Sequence, residues 1–129
     1  MAGAGVGNAG LAALIQSPHL GALRDLTIGS RITDPGVRML AAAPASSRLR
    51  RLDLSYNRQL GVAGAEALAA SEHLMNLQEL GLRDTRIGPR GALALIHSTR
   101  LPGLRLLHVG TESGGWDRAV WEALEQRFG

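Results

Sequence analysis

One short pattern occurs four times in this chain at nearly constant spacing. It consists of leucine, two variable residues, leucine, one variable residue and a further aliphatic residue, and it begins at Leu23, Leu49, Leu77 and Leu104. The starting leucines are separated by 26, 28 and 27 residues. Self-similarity at a fixed period of this length is typical of solenoids, in which each repeat is one supersecondary unit. The period therefore favours a stacked array over a conventional globular core.

A second pattern recurs between these segments. An aliphatic residue is followed four residues later by glycine and after four more by leucine, at 6–14, 32–40, 60–68 and 87–95. The alternating leucines predict a short strand with one buried face, whereas the Ala- and Leu-rich residues after each glycine predict a helix of a few turns. Pro35 and Pro89 stand where such a helix would begin. Each repeat is thus strand, turn, helix and return, and stacked repeats would pair their strands in parallel.

These motifs resemble a known family. Residues 49–57 read LxxLxLxxN, and residues 60–68 carry the matching glycine, alanine and leucine. They resemble the leucine-rich repeats, in particular the ribonuclease-inhibitor-like subclass of bacterial type, over residues 6–109. The resemblance implies an α/β fold: a right-handed solenoid or short horseshoe, with about four parallel strands on the concave side, helices on the convex side and a C-terminal capping helix. It also implies that Asn57 satisfies backbone groups after its strand, with Thr85 in that place one repeat later.

The two ends of the chain differ from the repeats between them. We expect a single domain over residues 1–129, with an N-terminal half repeat at 1–22, strand–helix repeats at 23–109 and a C-terminal cap at 110–129. The cap should be an amphipathic helix with Asp117 as N-cap and an apolar stripe of Val120, Trp121, Leu124 and Phe128. At the other end, the first LxxLxL strand should have an unpaired edge.

Composition removes several classes of chemistry. The chain has no Cys, and none of its 14 basic residues is Lys. Disulfides, thiolate metal sites, Cys nucleophiles, Schiff bases and the P-loop lysine are therefore excluded. Residues 5–10 match GxGxxG, but the repeat already explains the glycine at position 10, and no strand is expected before the motif. We expect a protein that is not an enzyme, with no cofactor and no metal site.

The sequence also gives an expectation about location. It contains no apolar run of about 18 residues, the length needed to span a bilayer. Its first residues lack the basic segment of a secretory signal. We therefore expect a cytoplasmic protein, and the bias towards Ala, Gly and Arg favours a bacterial one.

Residues between the leucines of each strand should point away from the core, onto the concave face. Their charges alternate in sign, and we expect the cross-strand pairs Asp25–Arg51, Arg51–Glu79 and Asp53–Arg83. Tyr56 is the one aromatic residue expected there and is a candidate interface anchor. The predicted partner-binding residues are Arg24, Asp25, Arg50, Arg51, Asp53, Tyr56, Glu79, Arg83, Arg105 and His108.

The expected function is non-catalytic protein–protein interaction, through the concave face or the uncapped N-terminal edge. The partner would be another protein of unknown identity, and self-association or continuation of the solenoid at that edge remains open. Two alternatives are a regulatory or inhibitory subunit of an associated enzyme and the C-terminal fragment of a longer repeat array. A membrane partner is not expected. Nucleic acid is disfavoured because Gln78 interrupts the column of Arg24, Arg50 and Arg105 and the net charge is only +3.

Overall fold

Strands and helices alternate along the chain. The computed structural model describes residues 2–4, 7–18, 20–29, 31–110 and 118–128. The strands are β1 (Ala2–Ala4), β2 (Asp25–Gly29), β3 (Arg51–Asp53), β4 (Glu79–Gly81) and β5 (Leu106–His108). The helices are α1 (Gly7–Gln16), α2 (Asp34–Ala42), α3 (Val62–Ala69), α4 (Gly88–Ile96) and α5 (Arg118–Phe128). Short 3₁₀ turns cover Leu20–Ala22 and Pro44–Arg48.

The strands form one parallel sheet in chain order, β1 to β5. The four predicted LxxLxL strands are confirmed as β2 to β5, and the register aligns their central leucines, at Leu26, Leu52, Leu80 and Leu107. The strand β1 was not predicted. It pairs with β2 from Ala2 opposite Thr27 to Ala4 opposite Gly29. The prediction that β2 has an unpaired edge is therefore wrong, because backbone pairing needs no leucine pattern and Ala-Gly-Ala carries none.

Leucine side chains fill the space between the sheet and the helices. Leu49, Leu52 and Leu54 of one repeat are almost completely buried, as are Leu77, Leu80 and Leu82 of the next. The core is thus a stack of equivalent layers, to which each fully buried leucine contributes about 2 kcal/mol. In β5 the equivalent Leu107 is only partly buried.

Two buried polar side chains close the turns after the strands. Asn57 Nδ2 donates to the carbonyls of Ile28 (2.9 Å) and Leu54 (2.8 Å), and its Oδ1 accepts from the Ile32 amide (2.8 Å). Thr85 Oγ1 donates to the Leu82 carbonyl at 2.9 Å. The roles expected for both residues are confirmed, but only Asn57 also bridges to the preceding repeat.

Side chains from one helix satisfy the first turn of the next. Asn8 in α1 accepts from the Thr33 amide (3.1 Å) before α2. Asp34 in α2 accepts from the amides of Gly61 (2.8 Å) and Gly64 (3.1 Å) at the start of α3. A Cβ at Gly64 would overlap Leu60 Cδ1 and lie 2.8 Å from Asp34 Oδ1, which explains the glycine in α3. Neither capping residue was recognised from the sequence.

The helix α5 packs against α4 and covers the last repeat. It buries Val120 and Ala123, with Leu124 and Phe128 partly buried beside them. Trp121 was expected on this stripe, but its side chain is 63% exposed. That prediction is wrong because Trp121 lies about 100° around the helix from Val120, and the smaller Ala123 makes the contact instead. The proposed N-cap, Asp117, lies outside the described residues.

One arginine joins α5 to the end of α4. Arg127 Nη1 donates to the carbonyls of Leu95, Ile96 and Ser98 at 2.7–3.1 Å, and its Nη2 donates to the Leu101 carbonyl at 2.6 Å. The last carbonyls of a helix have no partner within the helix, and a cation there also interacts favourably with the helix dipole. Arg127 therefore closes the C-terminal end of α4.

None of the helices in the described ranges is both long enough and apolar enough to cross a bilayer.

Candidate functional site

The side of the sheet that faces away from the helices carries a groove of about 350 Å³. We call this surface the strand face; its outward side chains are those of Asp25 and Thr27 in β2, Arg51 and Asp53 in β3, Glu79 in β4, and Leu106 and His108 in β5, with Gly81 between Asp53 and His108. Seven of the predicted partner-binding residues line the groove, namely Asp25, Arg51, Asp53, Tyr56, Glu79, Arg83 and His108.

Four charged or titratable side chains form a connected chain along one wall. Arg51 Nε lies 3.4 Å from Glu79 Oε2, so the predicted pair between these residues is formed. Glu79 Oε1 lies 2.8 Å from His108 Nε2, and Arg83 Nη2 lies 3.2 Å from His108 Nδ1. A guanidinium can only donate, so we infer that His108 Nδ1 accepts from Arg83 and that Nε2 carries the proton donated to Glu79. His108 thus orients both neighbours.

Asp53 occupies the floor of the groove. Its Oδ1 accepts from the Ser55 amide at 3.0 Å. A Cβ at Gly81 would overlap Asp53 Oδ1 and lie 2.9 Å from Asp53 Cγ. The Asp53 carboxylate therefore occupies the space that a side chain at position 81 would fill. Within the described residues, Asp53 forms no ion pair with Arg83, and this predicted pair is wrong. The reason is that His108 holds the Arg83 guanidinium.

Asp25 lies directly opposite Arg51 in the register of β2 and β3. Asp25 and Arg51 are therefore cross-strand neighbours, as expected. An ion pair between their side chains stays a prediction.

Tyr56 stands at the end of the groove that follows β3. Its side chain is 56% exposed and its backbone has φ of 69°. A left-handed conformation is unfavourable for a residue with a Cβ, by about 1 kcal/mol or more. The Tyr56 amide donates to the Arg83 carbonyl at 2.7 Å, which holds this turn against the next repeat. The backbone that carries this exposed aromatic side chain is thus held at the end of the groove.

Three of the predicted residues lie outside the groove. Arg24, Arg50 and Arg105 precede their strands, and backbone hydrogen bonds align them with Gln78 in a single row. All three side chains are exposed, and within the described ranges none forms an ion pair. The row lies at the opposite end of the strands from Tyr56. A nucleic acid whose phosphates contacted this row would therefore not stack a base on the Tyr56 ring.

Other candidate chemistry is sparse. No three His, Asp or Glu residues in the described ranges come close enough together to hold a metal ion. The glycine motif at 5–10 does follow a strand, β1, contrary to expectation, although its first two residues lie outside the described ranges. Within the motif, the Asn8 side chain is engaged with Thr33, donating to Oγ1 at 2.6 Å and accepting from the amide.

The contribution of Gly81 to the groove was not anticipated. The sequence does show that β4 has a glycine at its outward position between Leu80 and Leu82. The equivalent positions of the other strands are Thr27, Asp53 and His108.

Comparison with known proteins gives one family. The family model for the Leucine Rich repeat matches residues 45–69 and 73–95, which is well under half of the chain. The two segments contain β3 with α3 and β4 with most of α4, and thus two consecutive units of the array. No curated protein matches the chain.

Proposed function

Taking this chain as a leucine-rich-repeat protein, we propose that it is a non-catalytic interaction module that binds a partner protein through the strand face. Leucine-rich repeats generally mediate protein–protein interaction. The observation that carries the proposal is the groove, because it brings seven predicted partner-binding residues from four repeats around one cavity. Arginine and tyrosine side chains at its rim are the types enriched in interface hot spots.

The proposal includes the finer features that the sequence suggests. The chain would be one domain, a right-handed short horseshoe of the ribonuclease-inhibitor-like subclass with the strand face on its concave side. It would act in the bacterial cytoplasm. Regulation or inhibition of an associated enzyme is one form that such binding would take, and identifying the partner distinguishes it from a scaffold role.

The experiment is affinity capture of partners from cell extract, followed by quantitative mass spectrometry. A triple variant, Arg51→Ala, Asp53→Ala and Tyr56→Ala, should lose a partner that the unmodified protein captures. The control variant combines Glu66→Ala, Arg90→Ala and Trp121→Ala.

This control removes the same set of one carboxylate, one guanidinium and one aromatic ring, all exposed on the helices. It should retain the partner. Equal capture by the two triple variants would refute the role of the strand face, provided that both have the circular dichroism of the unmodified protein.

A second site is the N-terminal edge of the sheet. In the described part of the chain, β1 has a neighbour only on the side of β2. An edge strand offers unpaired backbone groups to another strand, so this edge would support end-on docking or self-association. Light scattering over a range of protein concentrations tests it, since a constant monomer mass would exclude self-association.

Nucleic acid is the least favoured partner. Only the row of Arg24, Arg50 and Arg105 supports it, and Gln78 interrupts that row. Phosphate-driven binding would weaken steeply with salt, which separates it from binding at the mixed-charge groove.

A further inference from the structure

One carboxylate of the groove, that of Asp53, has no cation beside it among the residues that the structure describes. The chain from Arg51 through Glu79 and His108 to Arg83 engages both guanidinium groups that line the groove. Asp53 accepts only the Ser55 amide, through Oδ1, and the described residues place no cation within 4.0 Å of its carboxylate. Asp53 is exposed, and its second oxygen accepts no hydrogen bond from the described residues, so this carboxylate can take a charged donor from a ligand.

Gly81 makes this carboxylate accessible. The register places Gly81 directly between Asp53 and His108 across the sheet. Because Gly81 has no side chain, the Asp53 carboxylate lies over its Cα, and a Cβ there would overlap Asp53 Oδ1 and lie 3.2 Å from Ser55 Oγ. Asp53 is therefore presented on the groove floor.

Tyr56 adds an independent observation. Its half-exposed ring lines the same groove, and its left-handed backbone conformation is held by the hydrogen bond to Arg83. The face of an aromatic ring attracts cations, and a guanidinium can stack on it while its N–H groups donate to a carboxylate. An ammonium group can form the ion pair but cannot stack in the same way.

We propose that the groove over Gly81 receives an arginine side chain of the partner protein, with its guanidinium bound to Asp53 and stacked on Tyr56. This inference rests on the proposed function and specifies the chemistry of its partner. The two cations of the groove do not oppose it strongly, since Glu79 compensates Arg51 and Arg83 is turned towards His108.

The test is an NMR titration of the isotopically labelled full chain with a blocked arginine, Nα-acetyl-arginine methylamide. The ion pair with Asp53 and the stacking on Tyr56 together predict a dissociation constant on the order of millimolar, with saturable shifts at the amides of Ser55 and Gly81. The blocked lysine analogue should bind about three- to fivefold more weakly because it keeps the ion pair but loses the stacking, and the glutamate analogue should bind at least about tenfold more weakly. No saturable shift in the groove, tighter binding of the glutamate analogue, or equal binding of the lysine analogue would overturn the proposal.

Three variants locate the site. Asp53→Asn keeps an oxygen acceptor for the Ser55 amide but removes the charge, and should weaken arginine binding about tenfold or more. Gly81→Ala should displace the Asp53 carboxylate and weaken binding similarly. The matched control is Glu66→Gln, which removes an exposed carboxylate on α3, away from the strand face, and should leave binding unchanged. Unchanged binding in Asp53→Asn would overturn the proposal.

The inference and the proposed function can fail separately. If the strand-face triple variant loses its partner while the arginine analogue produces no saturable shift, the interaction module stands and the arginine site is wrong. If the analogue binds at Asp53 while both triple variants capture the same partners, the site exists but does not serve the proposed function.

Discussion

Replacing Asn57 by alanine should destabilise this protein more than any comparable change in its turns. The substitution removes one acceptor and two donated hydrogen bonds, which leaves the Ile32 amide and the carbonyls of Ile28 and Leu54 without these partners. Asn57 and the residues that it joins are all buried. A buried polar group that loses its hydrogen bond costs about 1 to 3 kcal/mol, and carbonyls with a second partner fall at the low end. We therefore expect a loss of about 4 kcal/mol.

The next repeat supplies an internal control. Thr85 donates one hydrogen bond, to the Leu82 carbonyl, so Thr85→Ala should cost only about 1 kcal/mol. Asn57→Thr would copy this arrangement by keeping a bond to the Leu54 carbonyl, and its stability should lie between those of Asn57→Ala and the unmodified protein.

Urea denaturation followed by circular dichroism measures these differences as shifts of the midpoint at constant slope. A loss below about 1 kcal/mol in Asn57→Ala, or one no larger than in Thr85→Ala, would contradict this prediction, because the bridge to the first repeat would then contribute nothing.

Three further predictions use the same denaturation assay. Arg127→Met should cost about 2 to 4 kcal/mol, since two carbonyls at the end of α4 and two in the segment after it lose a charged donor. The control Arg118→Met, on the exposed side of α5, should cost under about 0.5 kcal/mol. Asp34→Ala should cost about 1 to 2 kcal/mol through the first turn of α3; a neutral result would show that water replaces the carboxylate. Trp121→Ala should change stability by less than about 0.5 kcal/mol, and a loss typical of a core aromatic would contradict its exposure.

The repeat architecture could be predicted because it depends on periodic side chains. Leu26, Leu52, Leu80 and Leu107 recur at the register positions of neighbouring strands, so the spacing of leucines alone aligned them. The role of Asn57 in the turn after its strand followed from the resemblance of residues 49–57 to the leucine-rich repeats. Both inferences use residues whose chemistry permits few alternatives at those positions.

Features that depend on backbone pairing or on competition between partners could not be predicted. The strand β1 pairs through peptide groups, which any residue other than proline supplies. Asp53 was expected to pair with Arg83, but His108 from the next strand engages Arg83 instead. The residues around the groove could be identified from the strand pattern, but the pattern does not determine which of several oppositely charged neighbours each side chain contacts.

The capping contacts between helices imply that the repeats are not interchangeable modules. Asn8 and Asp34 each complete the first turn of the helix that follows, while Val62, at the same repeat position in α3, has no polar group to do so for α4. Exchanging the units that contain α2 and α3 would place Val62 before Thr33 and leave its amide without the acceptor that Asn8 provides. Internal duplication or shuffling of these units would therefore require compensating substitutions, so the order of repeats is itself under structural constraint.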